Sequence, residues 1–266
     1  MISHPVLTER SARVAAAVKL HRQIARRRTQ RFLVEGPHLV EAASGRGLIR
    51  EVFVTEAAAQ RYDALLDRQD AAVNLVTERA AKALSDTVTP AGLVAVCERP
   101  EPALHDVLAG APALVAVGVE IREPGNAGTL IRIADAMGAA AVIFAGYSVD
   151  PYNGKCLRAS AGSVFSIPVV VAPDVGAAVT ALQAAGLRVL ATTVDGELSL
   201  DDADLAGPTA WLFGAESHGL APQLARQADN RVAIPMSGGA QSLNVAAAAA
   251  ICLYQSARAQ RAGPNL

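Results

Sequence analysis

The chain has few residues that form disulfides or bind metals. Its three cysteines, Cys97, Cys156 and Cys252, lie far apart among 266 residues and form no CxxC pair. Such spacing is typical of reduced cysteines in a cytosolic protein rather than of disulfides or zinc ligands. The five histidines are scattered as well. We therefore expect a cytoplasmic protein without a metal site.

Long apolar runs and a leader-like N-terminus are also missing. The first residues do not place a charged region before an apolar one, so we expect no signal peptide. The most apolar runs are interrupted by glycine, proline or charge before they could cross a bilayer. Since 52% of the residues are hydrophobic and the net charge is only −1, the composition excludes a disordered chain and suffices for one or two cores.

The near-neutral net charge conceals a basic arm in residues 1–31. This arm has eight basic residues against one glutamate, a net charge of +7, so the remainder of the chain carries −8. The basic residues are Arg10, Arg13, Lys19, Arg22, Arg26, Arg27, Arg28 and Arg31. A basic arm on an acidic protein is typical of binding to a polyanion. A solvated helix face is the alternative, and these residues alone leave both open.

The order of the predicted elements indicates two α/β domains. Residues 1–98 would form a small domain behind a helical arm predicted near 6–28, and residues 99–112, with three prolines, are typical of a linker. In residues 113–266 continuous apolar strands alternate with helices, which predicts a parallel sheet covered on both faces. Ligands bind such sheets at the carboxyl ends of the strands.

Loops of polar and glycine residues follow three of these strands. The first contains Asn126 and leads to Arg132, the second contains Glu216, and the third contains Ser242 and Asn244. Each side chain also has a plain structural interpretation. Asn126, Ser242 and Asn244 are natural helix N-caps, Glu216 could cap a helix, and Arg132 could pair with Asp135 on one helix face.

Common nucleotide and hydrolase motifs are missing from these loops. The chain has neither G-x-G-x-x-G nor G-x-x-x-x-G-K-[ST], so a nucleotide-dependent oxidoreductase on an ordinary doubly wound sheet lacks its phosphate loop. Ser217 and His218 do not stand in a G-x-S-x-G elbow, which excludes the usual hydrolase triad.

Together the three loops resemble the three motifs of the SpoU/TrmH branch of the SPOUT methyltransferases. The matching residues of the first motif are Asn126, Gly128 and Arg132, those of the second are Gly214, Glu216, Gly219 and Leu220, and those of the third are Ile234, Pro235, Ser242, Leu243 and Asn244. Arg158-Ala-Ser-Ala-Gly162 is similar to a family segment beside the RNA site. Residues 27–36 resemble the start of a ribosomal-protein-like RNA-binding domain.

The resemblance implies an S-adenosylmethionine-dependent enzyme that methylates a ribose 2′-hydroxyl of RNA without a metal. Its implied architecture is a Rossmann-like parallel sheet with a deep trefoil knot, assembled as a homodimer through the knotted domain. The implied catalytic residues are Arg132, Asn126, Glu216, Ser242 and Asn244. The implied cofactor residues are Thr193, Phe213, Gly214, Ile234, Met236 and Leu243. The implied RNA-binding residues are Arg26, Arg27, Arg28, Arg158 and Ser160.

Ribosomal RNA, most specifically 23S RNA, is the first expected substrate because of the N-terminal domain type, and transfer RNA is the second. A housekeeping role and antibiotic resistance are not separated by any residue. A different class stays open, namely an RNA-binding or ribosome-assembly factor without turnover. Loss of Arg132 or Asn126 would have favoured that class, and both are present.

Overall fold

The computed structural model describes residues 6–262, which divide into two compact units. The first unit comprises Met1–Pro100 and Tyr152–Phe165, and the second comprises Glu101–Pro151 and Ser166–Leu266. This division differs from the predicted one in two places. The expected linker, 99–112, contains a helix of the second unit, and a segment from within the expected C-terminal domain belongs to the first unit.

The first unit is a four-stranded sheet with short helices. Its strands are β1 (Arg31–Glu35), β2 (Ile49–Val54), β3 (Ala72–Leu75) and β4 (Leu93–Glu98). Its helices are α1 (Ala12–Val18), α2 (Gln23–Thr29), α3 (Pro37–Ser44), α4 (Glu56–Arg61), α5 (Asp63–Leu66), α6 (Glu78–Leu84) and α9 (Gly154–Ser160). The strand order is β1-β4-β2-β3, in which β2 and β3 are parallel and the other pairs antiparallel.

The basic arm is not the single helix that its periodicity predicts. Between α1 and α2 the chain forms a 3-10 turn over Lys19–His21, and Arg22 then takes an extended conformation with ψ 130°. This break separates the arm into two helices of seven residues each. Val14, Ala17 and Leu20 point into the core of the first unit, whereas Ile24, which shares their helical spacing in the sequence, is 83% exposed.

Aromatic packing explains why Tyr152–Phe165 belongs to the first unit. The ring of Phe32 on β1 is buried, and it lies 4.7 Å from the ring of Tyr152 and 6.3 Å from that of Phe165. Aromatic pairs at such distances stabilise the fold by more than the burial of their apolar surface alone. Because these contacts join residues more than a hundred positions apart, no local pattern predicts them.

The second unit contains a parallel sheet, as the sequence predicts, and this sheet has seven strands. Its strands are β5 (Leu114–Val119), β6 (Ala141–Ala145), β7 (Val169–Ala172), β8 (Arg188–Thr192), β9 (Leu198–Ser199), β10 (Thr209–Phe213) and β11 (Asn230–Ala233). Its helices are α7 (Leu104–Ala109), α8 (Pro124–Ala136), α10 (Val175–Ala184), α11 (Pro222–Ala225) and α12 (Val245–Ala262). The strand order is β7-β6-β5-β10-β8-β11-β9, and every pair is parallel.

Burial in the sheet follows its position between helices. All residues of β5, β6 and β10 are buried, which is expected of central parallel strands covered on both faces. Three apolar residues of α7 pack against the same core. The prolines on either side of α7 therefore bound a packed helix and do not mark a linker. Among the helices of residues 6–262, none combines the length and the apolar character that crossing a membrane requires.

The strand order determines where the three polar loops meet. β5 lies beside β10 on one side, and β8 followed by β11 lies on the other side of β10. Since all these strands are parallel, the loops that follow them leave the sheet at one edge. The motifs of the first, second and third loops are therefore brought to the same edge.

Candidate functional site

The first loop ends in a helix that is capped by a residue other than the expected one. Glu123 is the N-cap of α8, and its Oε2 accepts a hydrogen bond from the backbone N–H of Asn126 at 2.7 Å. Pro124 takes the first helical position, where its missing N–H leaves no bond unmade. Because Glu123 performs the capping, the side chain of Asn126 is available for other contacts.

Asn126 links the three loops. Its Nδ2 donates to Glu216 Oε1 of the second loop at 2.6 Å, and its Oδ1 accepts from Asn244 Nδ2 of the third loop at 3.2 Å. Asn244 in turn accepts a bond from the backbone N–H of Ala246 at 2.9 Å, which caps the start of α12. Two side-chain amides and one carboxylate meet at one edge of the sheet. The motif residues thus form a continuous hydrogen-bonded chain.

The second loop is a tight turn that requires glycine. The backbone N–H of Gly219 donates to the Ala215 carbonyl at 2.9 Å, and Gly219 has a φ of +65°. A Cβ at Gly214 would lie 2.6 Å from the Gly219 carbonyl oxygen, and closer still to the backbone of Gly219 and Leu220. No L side chain fits there, because the opposing atoms are backbone and cannot rotate away.

A cavity of about 350 Å³ lies beside this turn. Seven of the predicted site residues line it, namely Thr193, Gly214, Glu216, Ile234, Met236, Ser242 and Leu243. Phe213 does not line it. Its side chain is buried and stacks on Trp211 with the ring centroids 6.3 Å apart. The ring of Phe213 therefore faces away from the cavity, and a cofactor contact by this residue stays a prediction that its backbone would have to fulfil.

The cavity also has lining residues that the motifs do not include. Asp195 follows β8, and Ser217 and His218 lie on the second loop. Their positions after parallel strands could have indicated them, since loops at this edge form the ligand site. The motif pattern alone gave no reason to choose them.

One buried hydroxyl in the cavity has no hydrogen-bond partner. The Oγ1 of Thr193 is inaccessible to solvent and bonds to no other atom of the described residues. A buried polar group without a partner costs about 1–3 kcal/mol, so it marks a place where a ligand atom would be stabilising. Together with the backbone turn at Gly214, it gives the cavity polar groups at one side and apolar Ile234, Met236 and Leu243 at another.

Arg132 is exposed on α8, opposite the buried side chains of Leu130, Ile131 and Ala134. Within residues 6–262 its guanidinium has no ion pair or hydrogen bond, so the alternative of a pair with Asp135 is absent. A guanidinium has five donors and keeps its positive charge. Arg132 is thus available to an anionic group such as a phosphate.

The five expected RNA-binding residues fall into two classes. Arg27 and Arg28 are exposed. Arg26 is only 3% exposed, and its Nη1 donates to the backbone carbonyls of Leu20 and His21, each at 2.9 Å. Arg26 therefore stabilises the turn of the arm and is not placed as a phosphate ligand, contrary to the expectation for this residue.

Arg158 and Ser160 on α9 are also occupied within the first unit. Arg158 forms an ion pair with Asp86, and the fully buried Ser160 donates its hydroxyl to the Leu157 carbonyl at 2.8 Å. Their fixed positions order the segment and leave Ser160 without access to solvent. A direct RNA contact by the Ser160 side chain is therefore not supported.

The three cysteines of the chain are buried. Burial raises the pKa of the Cys97 thiol and raises that of Cys252 to about 12, so neither forms a thiolate near neutral pH. In the described part of the chain, no group of three or more His, Cys, Asp or Glu residues is arranged to hold a metal ion.

Comparison with known proteins relates this geometry to a family. The model of the SpoU rRNA Methylase family matches residues 113–254, and the model of the MRM3-like substrate binding domain matches residues 11–95. The 23S rRNA (guanosine(2553)-2′-O)-methyltransferase RlmP of Bacillus subtilis is 35% identical over 237 residues, which cover 89% of this chain and 92% of that protein.

Two further matches come from Streptomyces viridochromogenes. A 23S rRNA (uridine(2479)-2′-O)-methyltransferase is 38% identical over 179 residues, which are 65% of this chain and 62% of that protein. The crystal structure of the SpoU methyltransferase AviRb with its cofactor AdoMet has a TM-score of 0.86 at 32% identity, and the match covers 96% of this chain and 100% of that one. These matches confirm the resemblance found in the three loops. The chain belongs to the SpoU rRNA methylase family.

Proposed function

We propose that this protein transfers a methyl group from S-adenosylmethionine to a ribose 2′-hydroxyl of 23S ribosomal RNA. The observation that carries the proposal is the chain Glu216–Asn126–Asn244, which joins the three family motifs beside one cavity. S-adenosylmethionine is the methyl donor of this family, and the enzyme class follows from the family.

The cavity suits the cofactor. Thr193, with its unpartnered hydroxyl, would bond a polar group of the cofactor, and the backbone at Gly214 would allow a close approach. Ile234, Met236 and Leu243 would contact its apolar parts. When bound, S-adenosylmethionine supplies an already activated methyl group on a sulfonium, so the reaction needs no metal. Phe213 would contact the cofactor through its backbone, because its ring is buried against Trp211.

The protein must make the 2′-hydroxyl a nucleophile and hold it in line. We assign Arg132 the role of an anion ligand that holds the adjacent phosphate and stabilises the developing negative charge on the 2′-oxygen. Both roles use the charged form of the guanidinium, which hardly ever loses its proton in proteins. Such preorganised electrostatic stabilisation contributes roughly 3–4 kcal/mol per donor in well-studied enzymes.

Asn126, Glu216, Ser242 and Asn244 would orient the loops and the nucleotide. Asn126 donates to one oxygen of Glu216, which fixes the direction of the carboxylate. Ser242 lines the cavity and is exposed, so its hydroxyl is accessible to a substrate. Near-attack geometry of this kind lowers the barrier by removing translational and rotational freedom before the reaction.

We propose that the first unit supplies affinity for RNA, with Arg27 and Arg28 as phosphate ligands and Arg158 at the edge of the RNA site. The names of the relatives RlmP and the uridine methyltransferase support 23S ribosomal RNA over transfer RNA. The protein would act in the cytoplasm, where ribosomal RNA is modified. The two relatives are named for different bases, guanosine and uridine.

We also propose the trefoil knot and the homodimer for this chain. Gly196, before β9, supports a close crossing of backbones, because a Cβ there would lie 2.6 Å from the backbone nitrogen of Ala233. Leu243, Ile251 and Tyr254 are 38%, 37% and 50% exposed near or on α12. Such exposed apolar side chains on one helix suit an interface with a second copy.

The proposed reaction is tested by methyl transfer from labelled S-adenosylmethionine. The protein is incubated separately with 23S RNA, 16S RNA and transfer RNA, and labelled nucleotides are identified after nuclease digestion. We expect label on one 2′-O-methyl nucleotide of 23S RNA. Label in transfer RNA alone would contradict the proposed substrate, and cofactor binding without transfer to RNA or ribosomal subunits would favour a non-catalytic factor.

A further inference from the structure

The second loop carries a histidine that the family motif does not explain. His218 lines the cavity two residues after Glu216. Its Nε2 lies 3.7 Å from Glu120 Oε2, and its Nδ1 lies 2.8 Å from the hydroxyl of Ser217. The Ser217 contact fixes one side of the imidazole ring, while the other side is directed to the Glu120 carboxylate.

Glu120 is held in an unusual backbone conformation directly after β5. Its φ is +53°, which is uncommon for a residue other than glycine and costs of order 1 kcal/mol or more. The backbone N–H of Glu120 donates to the Ala145 carbonyl at 3.0 Å, which holds the residue in place. Strained residues of this kind cluster at functional sites, so the backbone conformation of Glu120 indicates a functional role for its side chain.

The charges around His218 make its interaction with Glu120 dependent on protonation. Glu120 also lies 3.5 Å from Arg122, so its carboxylate is attracted to one permanent cation and to the imidazolium when it forms. Glu216 and Asp195 line the same cavity and add negative charge. An imidazole side chain changes its charge between about pH 5 and 8.

The second loop is thus attached to the β5–α8 connection on both sides of its tip. Glu216 accepts a bond from Asn126 at 2.6 Å, and two residues later His218 faces Glu120. Both partners lie between the end of β5 and the first turn of α8. If one attachment is lost, the tip of the loop can move, and the cavity wall that the loop forms changes its shape.

We propose that Glu120 and His218 form a positioning pair that holds the second loop in the shape that receives S-adenosylmethionine. The proposal rests on the proposed function, because it concerns the same cavity. The pair acts through the loop and contacts no reacting atom. A positive charge on His218 adds an attraction to Glu120, and without that charge the loop keeps its attachment through Glu216.

The test is S-adenosylmethionine affinity, measured by calorimetry from pH 5.5 to 8.5 in the whole protein. In the unsubstituted protein we expect the affinity to fall about two- to fivefold as the pH rises, a range that fits an exposed ion pair. Glu120→Gln should bind with the weaker affinity at every pH. His218→Arg, with a permanent charge, should keep the tighter affinity at every pH.

A second variant of Glu120 and a kinetic measurement separate positioning from misfolding. Glu120→Gly removes the carboxylate but accepts the positive φ without strain, so its melting temperature should equal or exceed that of the parent. We expect it to bind S-adenosylmethionine as weakly as Glu120→Gln does. In methyl transfer, both variants should raise KM for S-adenosylmethionine and leave kcat nearly unchanged.

Two results would overturn the pair while leaving the proposed function intact. One is an affinity in the unsubstituted protein that is constant or rises with pH. The other is an unchanged pH response in Glu120→Gln. Failure of the unsubstituted protein to bind S-adenosylmethionine at any pH would instead refute the proposed function, and the pair with it.

Discussion

Replacement of Gly214 by alanine tests the backbone turn beside the cavity. The added Cβ would lie 2.6 Å from the Gly219 carbonyl oxygen, whereas ordinary van der Waals contact of a Cβ begins at 3.4 Å. The opposing strand of the turn must therefore shift by about 1 Å. Overpacking of this size costs about 1–3 kcal/mol of stability, and a shift of 1 Å in a site can lower a rate by about 100-fold.

For Gly214→Ala we expect S-adenosylmethionine affinity to fall at least about tenfold, equivalent to about 1.4 kcal/mol. The assay is calorimetric titration of the cofactor, with a thermal melt of each protein alongside. Gly239→Ala is the matched control, because the same change in the third loop meets no atom within 4 Å and no positive φ. The reasoning is refuted if the two variants bind the cofactor within twofold of each other.

The remaining predictions concern side chains of the site and of the basic arm. Arg132→Ala should lower methyl transfer about 100-fold or more with cofactor affinity and melting temperature unchanged, and turnover near the parent rate would contradict its role. Thr193→Val should leave the melting temperature equal or higher, since the lost hydroxyl had no partner, yet weaken cofactor binding several-fold by calorimetry; equal affinity would show that the hydroxyl meets no cofactor atom. Arg26→Ala should cost about 1–3 kcal/mol in denaturant unfolding because two backbone carbonyls lose their donor. Replacing Arg27 and Arg28 together should change stability by less than about 0.5 kcal/mol and reduce the salt slope of RNA binding by about 2; the reverse pattern would mean that the arm binds RNA through Arg26.

Local patterns predicted the longer strands of the second unit, but they did not predict α7, which lies within the expected linker. Apolar strands such as β5 and β10 read as continuous buried runs, because a parallel sheet covered by helices excludes water from both faces. The three motifs were recognisable because they depend on residue types at fixed local spacing. Side-chain roles were less predictable, as Asn126 shows. Its sequence position favours an N-cap, yet Glu123 caps the helix three residues earlier.

The basic arm shows the limit of charge patterns. Arg26, Arg27 and Arg28 are alike in the sequence, but only Arg26 turns inward to the carbonyls of a 3-10 turn. That inward direction depends on the break at Arg22, which is a tertiary consequence of packing α1 and α2 against one core. The stretch Tyr152–Phe165 is a similar case, because its membership of the first unit depends on aromatic contacts with Phe32.

The sequence by itself determined the two α/β parts, the family motifs and the candidate residues of the site. These features depend on composition, periodicity and local spacing. Only the tertiary structure decided which of these residues meet. Asn126 bonds to Glu216 and Asn244, 90 and 118 positions away, because the order β5-β10-β8-β11 brings their loops to one edge. Strand order is set by the packing of the whole sheet, and no local stretch of sequence contains it.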